Sequence, residues 1–323
     1  MTRTATARNL EKSAAPGGLD RWLHVMPHPA PAIEICQTHI AAAQWDGQRL
    51  QSYAVEPLEA GAIMPSPVET NVTQPDTVRR VLQRVVSRVG NLAAPVALLV
   101  PDPVVRVFIL PFESLPRSES DALPLLRWRL KKSVPFDVEE TTVSWSRQTA
   151  RNGSLEVLTA VARRSIVREY ESLVEGFEAK PSVVLSSTLA TLPLIAESGS
   201  SLLLRMSGRT LTTAIVRAST VCLYRSNEMP APAAQLDPKW LLEDVFPATA
   251  FYQDTWGEAI DHALLCGFQG RADLFQAAIE NELKIPTRQL ASGDGAAALD
   301  RSAQDLLQLG LDPLVGWMAN AGA

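Results

Sequence analysis

A chain of 323 residues with 46% hydrophobic and 20% charged residues can bury a large core and is long enough for two domains. Its 30 basic and 35 acidic residues leave a net charge of −5, which excludes the basic footprint that nucleic acid demands. Three widely spaced cysteines, Cys36, Cys222 and Cys266, make neither a CxxC pair nor a disulfide ladder and point to a reducing compartment, and no apolar run reaches the ~18 residues of a membrane span.

Residues 1–20 contain no apolar signal-peptide core and are expected to form a disordered tail. Strand-like runs follow at Ala32–Cys36, His39–Trp45 and Leu50–Glu56, with Asp46-Gly47 as a hairpin signal. Asp76 can cap a helix over TVRRVLQRVVSRV, with Val78, Leu82, Val85, Val86 and Val89 on one face. VALLVP then reads as a buried strand. A strand runs into Pro111, and a helix opens at Ser118 or Ser120 with the stripe Leu123, Leu126, Leu130 and Val134, stopped by Pro135. Strands Thr142–Gln148 and Leu155–Val161 flank an Asn152-Gly153 turn, and a helix starts at Ser165.

The second half begins with a strand near Ser182–Leu185 and the short helix TLATLPLI. Strands are expected at Ser201–Met206, Thr210–Val216 and Thr220–Tyr224, then a helix KWLLEDVFPATAFYQDTW bent or broken at Pro247. The strand HALLC ends in a Gly-x-x-Gly turn, ADLFQAAIENEL reads as a helix, and DPLVGWMANAGA is the last apolar piece. Each half thus starts with three antiparallel strands around tight turns, as in an α/β fold of two related lobes.

VFILPFESLP followed by LLRWRLKKSVPFDVEETTVSW resembles the type IV pilus assembly protein PilM family, and the order of elements agrees from about Ala32 onward. The resemblance implies an actin-like, ribonuclease H-like two-lobed α/β fold, similar to the cell-division protein FtsA. The first lobe would span residues 21–103, an inserted small α+β subdomain 104–181, and the second lobe 182–323 with a shortened helical subdomain at 225–260. The family's first phosphate loop runs Gly-Ile-Asp-Ile-Gly-Ser-Ser-Ser-Val-Lys. In this chain the acid is Glu34, the turn glycine is Cys36, Gln37 and Thr38 follow, the last hydroxyl is His39 and the lysine is Ala41. A side chain at Cys36 restricts the positive-φ geometry with which backbone N–H groups cradle phosphate.

The second loop, Asp-Ile-Gly-Ala in the family, is Arg205-Met206-Ser207-Gly208 here, and an arginine cannot hold Mg²⁺. The adenosine-packing Gly-Gly turn is Gly267-Phe268. The resemblance with these substitutions implies a non-enzymatic scaffold with no cofactor, ATP being disfavoured. It would sit in the cytoplasm against the inner membrane and grip the cytoplasmic N-terminal peptide of a bitopic membrane partner, PilN, with Leu110, Pro111, Phe112 and Trp128 as one groove wall. A nucleotide-binding ATPase of the same fold and a type II secretion platform protein are the alternatives, and self-association is left open.

Other constellations read as structural. His24 and His28 are four apart, but Pro27 and Pro29 preclude a helical metal site. Glu139-Glu140 on extended chain point apart, RWRLKK reads as a solvated face, and Trp128, Trp145 and Trp240 as core or interface anchors. Cys36, with no base or cation adjacent in the sequence, is expected to be an inert buried thiol.

Overall fold

The computed structural model describes residues 29–320, apart from 48, 91, 93, 94, 151, 152, 178, 196–198, 269 and 298. The N-terminal tail, His24, His28 and Asn152 lie outside these residues. Strands β1 (Pro31–Ile35), β2 (His39–Asp46) and β3 (Arg49–Pro57) form an antiparallel meander. On the other side of β1, β4 (Val96–Val100) and β8 (Pro181–Ser186) add in parallel, giving the order β3-β2-β1-β4-β8. The unbroken apolar run of β4 is what a central strand covered on both faces requires, and all five of its residues are buried. Helix α1 (Pro75–Val89) covers one face with Val78, Val81, Leu82, Val85 and Val89. It begins at Pro75, whose fixed φ suits the first helical position, so Asp76 lies in the first turn instead of capping it.

The second sheet repeats this plan. Strands β9 (Ser200–Ser207), β10 (Thr210–Arg217) and β11 (Thr220–Glu228) are antiparallel, and β12 (His262–Cys266) and β13 (Thr287–Gln289) join in parallel, in the order β11-β10-β9-β12-β13. Two lobes with the same strand order make the duplicated actin-like fold.

Helix α5 (Pro238–Trp256) covers the second sheet and runs through Pro247 as one helix, so of the two expectations, a bend or a break, the break does not occur. Leu241, Val245, Ala248, Tyr252 and Trp256 anchor its inner face. Pro247 lies on the exposed side, where the Glu243 carbonyl that loses its partner meets water. Helix α6 (Ala272–Leu283) packs beside it.

Between β4 and β8 stands a smaller body. Strands β5 (Arg106–Phe112), β6 (Thr141–Thr149) and β7 (Leu155–Arg163) are ordered β5-β7-β6 and covered by helix α2 (Glu119–Leu130). Helix α2 ends before Val134, because the N–H groups of Ser133 and Val134 both turn back to the Leu130 carbonyl. Helix α3 (Arg164–Glu175) returns to the first lobe and buries Ile166, Tyr170, Leu173 and Val174 in its core.

The lobes meet over helices α4 (Ser187–Thr191), α7 (Asp294–Ala297), α8 (Arg301–Gln308) and α9 (Asp312–Asn320). One apolar cluster runs from Ala32 and Leu99 of the first sheet to Leu203 and Leu264 of the second, bridged by Leu314, Val315 and Trp317 of α9. The Trp317 indole donates to the Pro29 carbonyl at 3.1 Å. Gly316 lets α9 approach α4 so closely that a Cβ there would collide with the Ala190 carbonyl. Gly316→Ala should therefore cost about 1–3 kcal/mol through overpacking. Urea unfolding with an unchanged midpoint would show that the two helices are free to part.

Candidate functional site

The duplicated topology brings three turns together at one end of the interlobe cleft. The β1–β2 turn carries Cys36, Gln37 and Thr38, the β9–β10 turn carries Ser207 and Gly208, and Gly267-Phe268 follows β12. The Gln37 side chain lies directly against Gly208. Gly267, at φ +78°, presses so closely on β9 that a Cβ would overlap the Met206 carbonyl oxygen, so only glycine fits there.

Arg205 sits at the centre, almost wholly buried, facing carboxylates from three separate parts of the chain. Its Nε donates to Asp312 Oδ2 at 2.7 Å and its Nη2 to Glu34 Oε1 at 3.3 Å, while Nη1 lies 3.6 Å from Asp102 Oδ2. Each carboxylate has further donors. Asp102 accepts from the Thr188 backbone N–H (2.9 Å), Thr188 Oγ1 (2.6 Å), Thr212 Oγ1 (3.0 Å) and the Tyr224 hydroxyl (3.2 Å). Asp312 accepts from Thr191 Oγ1 (2.8 Å), and Glu34 from Ser187 Oγ (2.9 Å). Burial alone would discharge Arg205, but Asp312, Glu34 and Asp102 hold its pKa above the ordinary guanidinium value. Burial likewise opposes ionisation of Glu34, yet His39, Arg205 and Ser187 together keep its pKa below the ordinary carboxylate value.

Glu34 and Arg205 were legible as degenerate loop positions, but Asp102 and Asp312 were not. Their signal was faint: an acid just past a buried parallel strand, VALLVPD, where crevice residues of open α/β sheets sit, and an acid opening the last apolar helix.

A magnesium nucleotide does not fit this arrangement. A guanidinium occupies the position among the carboxylates where a metal ion would have to lie. Phe268 is buried and packs on Phe275 with ring centroids 4.8 Å apart, so it fills the space beside the turn instead of offering a stacking face. Among the described residues no group of three or more His, Cys, Asp or Glu is placed to hold a metal ion.

The β1–β2 turn corrects the reading of Cys36. The hairpin folds His39 back so that its Nδ1 lies 3.1 Å from Cys36 Sγ, and its Nε2 lies 3.6 Å from Glu34 Oε2. A base therefore adjoins the thiol. Burial works against the imidazolium, but Cys36 and then Glu34 push the His39 pKa up to about 11.

The four residues offered as a groove wall sit on β5 and α2. Leu110 and Phe112 are half-buried in the core of the inserted sheet, Pro111 is exposed on β5, and Trp128 is 72% exposed on α2. Trp145 is half-buried with Arg147 over its ring, and Trp240 is exposed beneath Lys239. Glu139 and Glu140 pair outward with Arg127 and Arg163. A groove of about 320 Å³ separates the inserted sheet from the first lobe, lined by Val105, Ala160, Ala162, Val167, Val183 and Leu189. The edge strands of both sheets, β6 and β8, border it through Thr142 and Ser182. Among the described residues no helix is long and apolar enough to cross a membrane.

Fold and cleft together define an actin-like two-lobed protein whose interlobe site is filled by its own side chains. Residues 32–198, just over half of the chain, match the family model of the type IV pilus assembly protein PilM, and the chain belongs to that family. A solved chain of a PilM–PilN type IV pilus biogenesis complex is similar over 92% of this chain and 100% of its own, with 16% identity and a TM-score of 0.74. A protein of actin-like ATPase fold from Bacteroides thetaiotaomicron is similar over 87% of this chain and 96% of its own, with 9% identity and a TM-score of 0.50. These likenesses establish the fold. No curated protein sequence matches the chain.

Removing one partner of a buried ion cluster leaves the others uncompensated. Arg205→Met should destabilise the chain by about 3–5 kcal/mol, read from urea unfolding at pH 7. A loss below about 1 kcal/mol would mean that the carboxylates are hydrated instead of locked. The depressed Glu34 pKa gives a second expectation. A carboxyl held ionised stabilises the fold above its unfolded value of 4.5 and loses that contribution as pH falls through the lower folded value. The stability gap between the parent chain and Glu34→Gln should be open at pH 7 and close below pH 4.5. A gap that stays constant to pH 3 would remove the charge argument.

Proposed function

We propose that this chain is a non-catalytic scaffold in the cytoplasmic platform of a type IV pilus assembly machine. Its partner is the N-terminal cytoplasmic peptide of a PilN-like bitopic membrane protein, and the chain reaches the inner membrane through it. The observation that carries this reading is the groove between the inserted sheet and the first lobe. Its walls are mainly valine, alanine and leucine, and two edge strands, β6 and β8, border it. An extended apolar peptide suits such a site. Its main chain can pair along an edge strand while alternate side chains enter the apolar floor. The relative seen in a PilM–PilN complex supports the partner class. The Arg205 guanidinium among three carboxylates and the inward-packed Phe268 support the absence of ATP turnover, since a metal ion and a stacked base would need those places.

Val167, half-buried on α3, lines the groove, and Trp128 is outside it. Fluorescence anisotropy with the N-terminal cytoplasmic peptide of a PilN-like protein should show binding. Val167→Asp should weaken it at least about tenfold without lowering Tm, because a charge enters an apolar floor. Trp128→Asp should leave it unchanged, and the reverse pattern would move the interface to α2. Millimolar Mg-ATP should leave Tm unshifted, whereas saturation at about 100 times Kd would stabilise the chain by about 2.7 kcal/mol.

A further inference from the structure

Cys36, His39 and Glu34 form a relay that the scaffold role does not use. The Cys36 sulfur is 3.1 Å from His39 Nδ1 and 3.4 Å from Thr38 Oγ1. Across the ring, His39 Nε2 is 3.6 Å from Glu34 Oε2, and neither of these atoms has a hydrogen-bond partner among the described residues. Glu34 is fully buried, and its second oxygen faces the imidazole. A nucleophile, a base within hydrogen-bond reach and an acid that orients the base are the parts that activate a cysteine. Here six consecutive residues supply them all, because the tight turn carries the chain back on itself.

We propose that Cys36 is a thiol modification site, oxidised by hydrogen peroxide and similarly small hydroperoxides that enter past the exposed edge of His39. Cys36 is only 1% exposed, but the His39 side chain beside its sulfur is 22% exposed and Thr38 is open to solvent. The route to the sulfur runs beside that imidazole, which suits an oxidant close to the size of water. In the reaction, the thiolate sulfur attacks one peroxide oxygen, and the S–O bond forms as the O–O bond breaks. The departing hydroxide takes the Nδ1 proton of His39. The products are a Cys36 sulfenic acid, water and neutral imidazole, with two electrons passed from sulfur to peroxide. Sulfenylation also removes the negative partner of His39, next to the Glu34–Arg205 contact that joins the lobes.

The electrostatics agree with this geometry. Burial opposes ionisation of Cys36, but the charge and hydrogen bond of His39 outweigh both burial and the repulsion from Glu34, so the thiol pKa lies below its ordinary value. Glu34 is itself faced by Arg205 from β9, and Tyr170 from α3 is the remaining titratable neighbour. The other two cysteines differ. Burial and then Glu156 push Cys222 up to about 12, and burial and then Asp312 raise Cys266. They are internal controls.

A neutral Cys36 would instead give its proton to the His39 carbonyl oxygen, 3.3 Å away. The two states are told apart by treating the folded chain with hydrogen peroxide, trapping sulfenic acid with dimedone and mapping the label by mass spectrometry. At pH 6.5 an ordinary thiol is roughly 1% ionised, so a thiol whose pKa is lowered by the imidazole beside it offers more thiolate, part of that gain being offset by lower intrinsic nucleophilicity. Cys36 should therefore label severalfold faster than Cys222 and Cys266, at a rate that climbs less steeply with pH than theirs. His39→Gln should slow it severalfold at pH 6.5 and recover above pH 9. Labelling of Cys36 that climbs with pH as an ordinary thiol does, or that is no faster than at the other two cysteines, would overturn the proposal. The parent chain's pH profile decides the matter even if His39→Gln does not fold.

Discussion

A single buried guanidinium sets the relation between the two lobes. Arg205 leaves the second sheet and meets Glu34 from β1, Asp102 from the turn after β4 and Asp312 from the start of α9. A charge taken out of water must recover its hydration from protein, and none of these partners is local to Arg205 in sequence. The lobes can satisfy it only in one mutual position. Such clusters gain little net stability over well-packed apolar groups, yet they are costly to break.

In a duplicated fold of this kind, the cleft between lobes is the natural place for a ligand that bridges them. Here the bridge is built from the chain itself. Gln37 lies on Gly208, the Gly267 turn presses on Met206, and Phe268 turns inward to Phe275. The same compaction gathers Cys36, His39 and Glu34 at one corner of the filled cleft. Surface left for recognition lies away from the cleft, where the inserted sheet stands off the first lobe and leaves a groove with apolar walls between two edge strands. Rigid lobes benefit that groove, because each wall belongs to a different body and its width depends on both holding still.

Much of the architecture is readable from local pattern. The unbroken run VALLV, the hairpin at Asp46-Gly47 and the stripe of α1 each reflect a period or turn chemistry contained within a few residues. Local pattern left a bend or a break at Pro247 open, because the penalty for a proline depends on which side of the helix the orphaned carbonyl faces, and that is settled by what the opposite side packs against. It misjudged Cys36 for a related reason: a hairpin places residues three apart side by side, and the base was already present at His39.

The sequence by itself determined the two-lobed α/β plan, a property of residue type and spacing along the chain, and its resemblance to the PilM family implied the inserted body and the altered phosphate-loop positions at Cys36, Ala41 and Arg205. Only the tertiary structure decided that Arg205 is neutralised by Asp102 and Asp312, and that β6, β7, β8 and α3 enclose an apolar groove between the inserted sheet and the first lobe. The physical reason is that these contacts join residues roughly a hundred positions apart or different packed bodies. Neither charge pairing nor the width of a gap leaves any period in the sequence.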